Sequence, residues 1–123
     1  MLLRPDGSVL AHVYGFDFGV GSARLAPGQD QLVQVLADAI RRFPGASVRL
    51  EGHTDDTGAR DANLRLSRRR AETVADALAA RLGVPPESIE TVGLGPDHPI
   101  ASNATGEGRA RTRRIDVVIT PAP

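Results

Sequence analysis

A chain of 123 residues is the size of a single domain with one modest core. Its 15 acidic and 15 basic residues give a formal net charge of zero, which argues against a nucleic-acid-binding domain, because neutralising phosphates usually requires a positive excess. The chain has no cysteine, which excludes disulfides and thiolate metal sites.

The first half of the chain predicts a strand, a helix and a second strand. The stretch GSVLAHVYG places Val9, Ala11 and Val13 at every second position, which is typical of a strand. A helix follows from Pro27 and is stopped by Pro44 and Gly45, and ASVRLEG alternates again as the second strand. The apolar residues spaced at three and four in the helix are Leu32, Val35, Leu36, Ala39, Ile40 and Phe43.

The second half predicts another helix and two more strands. Helical spacing runs from roughly Asp61 to Leu82 and is ended by Gly83 and Pro85. SIETVGLG is the predicted third strand and RRIDVVI the last one, with a long loop between them that contains a short helical piece near Glu107. The apolar residues of the second helix are Leu64, Ala71, Val74, Leu78 and Leu82.

This order predicts an α/β (α+β) fold of the form β-α-β-α-β-loop-β. About four strands form a mixed sheet, and the two main helices cover one face of it. We expect a single domain over residues 1–123, with a frayed tail from about residue 120. The opening MLLRPDGSVLAHVY has no apolar run long enough for a signal peptide or a membrane span. Any membrane attachment would therefore depend on parts of a longer protein.

The stretch GHTDDTGARDANLRLSRRRAE, residues 52–72, contains five arginines. On a helical wheel Asn63, Ser67 and Arg70 fall within about 60° of one another, on the flank of the apolar stripe. A guanidinium aimed toward the packed side of a helix needs an anion. That anion is either a structural partner, Asp55 or Glu51, or the carboxylate of a ligand.

Asp55 follows the end of the predicted second strand, and loops at the carboxyl ends of strands are where open α/β sheets usually bind ligands. The alternative is that Asp55, Asp56 or Thr57 caps the second helix. If Asp55 and Arg70 are held apart across a small cleft, the pair suits a zwitterion, with an ammonium on one and a carboxylate on the other.

The same stretch, GHTDDTGARDANLRLSRRRAETV, resembles the signature of the OmpA-like peptidoglycan-binding domain found in proteins of the OmpA, Pal and MotB type. GLGPDHPIASNATGEGRARTRRIDVVI is similar to the downstream elements of that family, and YGFDFGVGSARLAPG to its first strand and following loop. Several linked motifs in the right order carry the resemblance over nearly the whole chain.

The resemblance implies non-covalent binding of peptidoglycan through the diaminopimelate residue of its stem peptide, in the periplasm or cell envelope. It assigns the ammonium to Asp55 and the carboxylate to Arg70, and it implies neither catalysis, nor a cofactor, nor a metal. Arg114 corresponds to a structural or rim residue, and Thr112 stands where the family usually has asparagine. The other residues that the resemblance places in or beside the pocket are Thr54, Thr57, Asn63, Phe16 and Asp17.

Three other readings compete with this one. A hydrolase metal site would draw on His53, Asp55, Asp56, Asp97 and His98, but the chain has neither zinc-type helical spacing nor a serine elbow. Nucleic-acid binding would use the arginines, but the aromatic residues are not interleaved with them as in stacking platforms. The third reading is an interaction module of an envelope machine, a stator or secretion system, with weak or no peptidoglycan binding.

Overall fold

The computed structural model describes residues 2–14, 16, 18, 23–25, 28–97, 105–106, 108 and 113–122. In chain order the elements are β1 (Leu2–Leu3), β2 (Val9–Val13), α1 (Asp30–Arg41), β3 (Ser47–His53), α2 (Arg60–Leu82), a 3₁₀ turn (Pro86–Ser88), β4 (Ile89–Gly95) and β5 (Arg114–Thr120). The predicted α/β fold with a mixed sheet and two main helices is confirmed.

Within these residues the sheet has five strands in the order β1-β2-β5-β3-β4. The last strand, β5, lies between β2 and β3 and is antiparallel to both, whereas β3 and β4 are parallel. The carboxyl ends of β2, β3 and β4 therefore lie at the same edge of the sheet as the amino end of β5.

The structure adds two short elements to the predicted order. The edge strand β1 pairs with Leu10 and Val9 through only two residues, which is too short for any alternating pattern to show. The 3₁₀ turn before β4 was not predicted either. At the other end of the chain, Thr120 still pairs with Ser47, so the described tail begins one residue later than expected.

The buried face of α1 differs from the predicted one. Val33 and Ala37 are buried in the core beside Leu36 and Ile40, whereas Val35 is 57% exposed. The prediction is right for Leu36 and Ile40 and wrong for Val35, because apolar residues in this helix satisfy the three-and-four spacing in two adjacent registers. Burial against the sheet selects one of them.

Helix α2 packs directly on β3 and β4 where the strands have glycine. A Cβ on Gly52 would lie 2.1 Å from the carbonyl oxygen of Ser67, and one on Gly93 would lie 2.6 Å from the backbone nitrogen of Arg68. Ser67 is fully buried; its hydroxyl donates to the Leu64 carbonyl and accepts the backbone N–H of Gly95 at 3.0 Å. These contacts fix the rotation of α2, and with it the position of Arg70 one turn later.

The predicted apolar stripe of α2 is largely confirmed. Ala71, Val74 and Leu78 are buried in the core formed with α1 and one face of the sheet. The helix is long but rich in charge, and no helix in the described part of the chain has the length and apolarity needed to cross a membrane.

Candidate functional site

The candidate site lies at the sheet edge where three strands end and one begins. Asp55 follows β3 by two residues, Asp97 follows β4 by two residues, and Arg113 immediately precedes β5. The antiparallel pairing of His53 with Arg114 brings the loop after β3 next to the start of β5. Side chains that are far apart in sequence therefore meet at this edge.

Asp55 is a buried carboxylate, with 7% of its surface exposed. Its Oδ1 accepts the backbone N–H of Thr57 at 2.9 Å, and its Oδ2 accepts a hydrogen bond from Nη1 of Arg113 at 2.6 Å. Burial alone would raise the pKa of Asp55, but the N–H of Thr57 and the ion pair with Arg113 outweigh it and hold the pKa below its ordinary value. Asp55 is thus an anion at neutral pH.

The loop after β3 is held by Asn63. Its side-chain amide donates to the carbonyl of Thr57 at 2.8 Å, which ties the loop to the first turn of α2. The N-cap of α2 is Ala59, and no side chain caps the helix there. The alternative in which Asp55, Asp56 or Thr57 caps α2 is therefore wrong, because Asp55 instead closes a turn with Thr57.

Arg70 is the partly buried member of its arginine run, whereas Arg68 and Arg69 are exposed. Its guanidinium carbon lies 5.0 Å from the ring centroid of Phe18, a cation–π distance. Burial lowers the pKa of Arg70, the nearby cation of Arg113 lowers it further, and the carboxylate of Asp55 opposes both effects. Arg70 remains a cation at neutral pH.

Asp55 and Arg70 are electrostatically coupled, yet within the described residues no direct ion pair joins them. The ion pair of Asp55 is made with Arg113. Glu51, the other structural partner considered for Arg70, contacts Nε of Arg49 at 3.1 Å. Among the described residues, the two carboxylates considered as structural partners of Arg70 thus form their ion pairs with other arginines.

Sequence reasoning missed Arg113 and Phe18 as parts of this site. In the sequence Arg113 is only one of the arginines considered for nucleic acid, because the pairing of β5 with β3 cannot be read from periodicity. Phe18 was treated only as one of the few aromatic residues. Its spacing of two from Phe16, whose ring centroid lies 6.3 Å away, was the available signal.

The remaining predicted site residues occupy different environments. Thr54 is buried, its backbone N–H donates to Gly95, and its hydroxyl has no hydrogen-bond partner in the described part of the chain. Phe16 is partly buried and packs against the core. Asp17 and Thr112 lie outside the described residues.

Arg114 is internal to the protein, on the opposite face of the sheet from the helices. Its side chain is 3% exposed, and its Nε donates to Oδ1 of Asp116 at 2.9 Å. Asp116 also contacts Nδ1 of His12 at 2.6 Å and Nε2 of His53 at 3.2 Å. Of the two roles that the resemblance gave Arg114, this placement favours the structural one.

Among the described residues, the acidic and histidine groups named for a hydrolase site do not form a metal-binding cluster. Asp97 is paired with Arg60 at 2.7 Å, and His98 lies outside the described residues. Ligand atoms of Glu51, His53 and Asp116 lie within 4.8 Å of one another, but guanidinium groups already contact both carboxylates. Adjacent cations oppose the binding of a metal ion there.

Three of the six arginines considered for nucleic acid form ion pairs with carboxylates. Arg68 pairs with Glu72 at 3.0 Å, Arg113 with Asp55, and Arg114 with Asp116. Arg109 and Arg111 lie outside the described residues. The paired arginines therefore supply no net positive patch to a phosphate backbone.

Comparison with known proteins identifies the family. The model of the OmpA family matches residues 17–113. The chain is 47% identical over 102 residues to the peptidoglycan-binding protein ArfA of Mycobacterium tuberculosis; the match covers 83% of this chain but only 31% of ArfA. The chain thus spans about a third of the length of that relative.

Two solved structures share the fold. The cell wall anchor of the T6SS from Pseudomonas aeruginosa is 30% identical with a TM-score of 0.77, over 94% of this chain and 81% of that one. The peptidoglycan-associated lipoprotein from Burkholderia pseudomallei is 34% identical with a TM-score of 0.71, over 89% of each chain. Together with the family match, these relatives confirm the prediction that the domain is not an enzyme. The chain belongs to the OmpA family.

Proposed function

We propose that this domain binds peptidoglycan non-covalently by recognising the diaminopimelate residue of the stem peptide, and that it anchors an envelope protein to the cell wall. The observation that carries the proposal is the placement of Asp55 and Arg70. A buried carboxylate, which accepts from Thr57 and Arg113, and a partly buried guanidinium, which lies over Phe18, influence each other electrostatically. A ligand that brings both an ammonium and a carboxylate complements them.

Each charged contact has a defined role. Asp55 accepts hydrogen bonds from the ligand ammonium, and Arg70 donates to its carboxylate through the planar fork that arginine offers. Asn63 and Thr57 keep the loop after β3 in place. The hydroxyl of Thr54, buried and without a partner in the described part of the chain, offers a further polar contact to a bound ligand.

The expected binding free energy of one domain for one stem peptide is small, so firm attachment to the wall requires several binding events. A charge-assisted hydrogen bond contributes about 1.5–3 kcal/mol, and association entropy offsets much of the gain from two of them. A single stem is therefore held weakly to moderately. Attachment to a wall then depends on many copies of the domain or on a second anchor in the same protein.

The relatives support the same proposal. ArfA is named a peptidoglycan-binding protein, and the lipoprotein from Burkholderia pseudomallei is described as peptidoglycan-associated. The cell wall anchor of a T6SS is described as a wall anchor, which supports attachment to the wall, and its place in a secretion system also suggests a second candidate function. In that candidate the domain is an interaction module of an envelope machine and binds peptidoglycan weakly or not at all.

Retention on purified sacculi that contain diaminopimelate separates the two candidates. We expect the wild-type domain to be retained and the Asp55→Asn and Arg70→Gln variants to be lost while they remain folded by circular dichroism. Asp61→Asn and Arg69→Gln are matched controls, because they neutralise exposed charges on α2. Equal retention of Asp55→Asn and Arg70→Gln with the wild type would show that the assigned residues do not form the site.

A further inference from the structure

Arg113 has a position that the proposed contacts leave unexplained. Its Nη1 lies 2.6 Å from Oδ2 of Asp55, the side of that carboxylate not engaged by the backbone of Thr57. The Arg113 side chain is 48% exposed, whereas that of Asp55 is 10% exposed. A half-exposed cation thus pairs with a buried anion.

The two partners have unequal freedom to separate. A buried carboxylate requires a compensating cation, while a half-exposed guanidinium can return to water at small cost. A ligand ammonium that reaches Oδ2 of Asp55 meets the atom that Arg113 already holds. Binding in the position that Nη1 of Arg113 occupies at this oxygen is therefore an exchange of one cation for another.

A second interaction favours the exchange. The positive charge of Arg113 acts unfavourably on Arg70, which sits partly buried above Phe18. Arg70 therefore feels the charges of both Asp55 and Arg113, and these act on it with opposite signs. Departure of Arg113 into solvent removes its repulsion of Arg70, and the carboxylate that the ligand places against Arg70 offsets the charge of the incoming ammonium.

We propose that Arg113 is a resident counter-ion of Asp55 which the ligand ammonium displaces, so that Arg113 competes with the ligand and sets the affinity of the site. The inference rests on the proposed function, since it assigns the ammonium to Asp55. It predicts that removing Arg113 strengthens binding, the opposite of what removing a ligand-contacting arginine does.

The test combines substitution of Arg113 with acetylation of the side-chain amine of the ligand. Affinities are measured by NMR chemical-shift titration for the wild type, Arg113→Gln and the charge-matched control Arg69→Gln. The probes are the tripeptide L-Ala-γ-D-Glu-meso-diaminopimelate and the same peptide with its side-chain amine acetylated. We expect Arg113→Gln to bind the free-amine peptide roughly two- to fivefold more tightly, with no gain for the acetylated peptide and no gain in Arg69→Gln.

The outcomes separate this inference from the proposed function. If the wild type binds the free-amine peptide and Arg113→Gln binds it equally or less tightly, Arg113 is not a competitor, although the proposed function stands. An equal gain for both peptides also overturns the inference, because the gain would not depend on the ammonium. If neither the wild type nor Arg69→Gln binds, the proposed function itself fails. Should Arg113→Gln not fold, Arg113→Lys, which keeps the charge but loses the planar fork, is expected to show a smaller gain of the same kind.

Discussion

Gly52 lies so close to Ser67 that a Cβ on the glycine would come within 2.1 Å of the serine carbonyl oxygen. This contact seats α2 on β3, and Arg70 is carried on the same helix one turn beyond Ser67. The close packing of a helix backbone on a strand backbone therefore sets where the ligand-binding arginine stands. The position of Arg70 in the site therefore depends on the absence of a side chain at Gly52.

Gly52→Ala is expected to destabilise the domain by more than ~3 kcal/mol, because neither backbone can move far enough to relieve the overlap. Urea unfolding followed by circular dichroism measures the change. Gly45→Ala is the control: its φ of +76° is strained for alanine, but the nearest atom lies at 3.4 Å, so it should cost only about 1–2 kcal/mol. Equal costs for the two variants would show that the contact with Ser67 is not decisive.

The depressed pKa of Asp116 makes the free energy of unfolding depend on pH. Burial would raise its pKa, but His53, His12 and Arg114 together lower it from 3.8 to about 2. Because the folded-state pKa is depressed, the stabilising contribution of Asp116 is fully present above about pH 4 to 5 and is lost as the pH falls toward 2. Acid should therefore weaken the fold through this group.

Asp116→Asn tests that expectation. At pH 6 the variant should lose about 3–5 kcal/mol, because Arg114 stays buried without its carboxylate. The difference in urea midpoint between variant and wild type should then narrow as the pH is lowered from 4 toward 2.5. Asp61→Asn removes a carboxylate whose side chain is 82% exposed and should change neither midpoint nor slope. A difference in urea midpoint between Asp116→Asn and wild type that stays constant with pH would contradict this role of Asp116.

Asn63 is expected to act on binding through the loop that it holds. Asn63→Ala removes the hydrogen bond to the Thr57 carbonyl and should weaken binding of a diaminopimelate peptide by about fivefold, equivalent to ~1 kcal/mol, with little loss of thermal stability. Gln34→Ala, which removes hydrogen bonds to Asp38 and Arg81 away from the site, should leave binding unchanged. Unaltered affinity in Asn63→Ala would show that ligand binding does not depend on the hydrogen bond between Asn63 and the Thr57 carbonyl.

Much of the fold could be predicted because burial on one side leaves a clear pattern. Val9, Ala11 and Val13 alternate in β2, and Ile115, Val117 and Ile119 alternate in β5. The pattern of apolar residues could not predict β1, which is too short to show alternation, and it was ambiguous in α1. In α1 two registers of apolar residues fit the same spacing, and only contact with the sheet distinguishes them.

The site was predictable to the extent that it is local in sequence. Asp55 and Arg70 lie within one motif, and the wheel placed Arg70 apart from Arg68 and Arg69. The pairing of Arg113 with Asp55 spans 58 positions and depends on β5 entering the sheet beside β3. Hydrophobic periodicity says which face of a strand is buried and nothing about which strand is its neighbour.

Isothermal titration with two stem peptides tests the central claim most directly. The lysine tripeptide has the side-chain ammonium of the diaminopimelate tripeptide but lacks the carboxylate beside it. The wild type should prefer the diaminopimelate peptide by roughly 10- to 100-fold, Arg70→Gln should lose that preference, and Asp55→Asn should bind neither peptide. Equal binding of the two peptides by the wild type, or an undiminished preference in Arg70→Gln, would contradict the assignment of ammonium to Asp55 and carboxylate to Arg70.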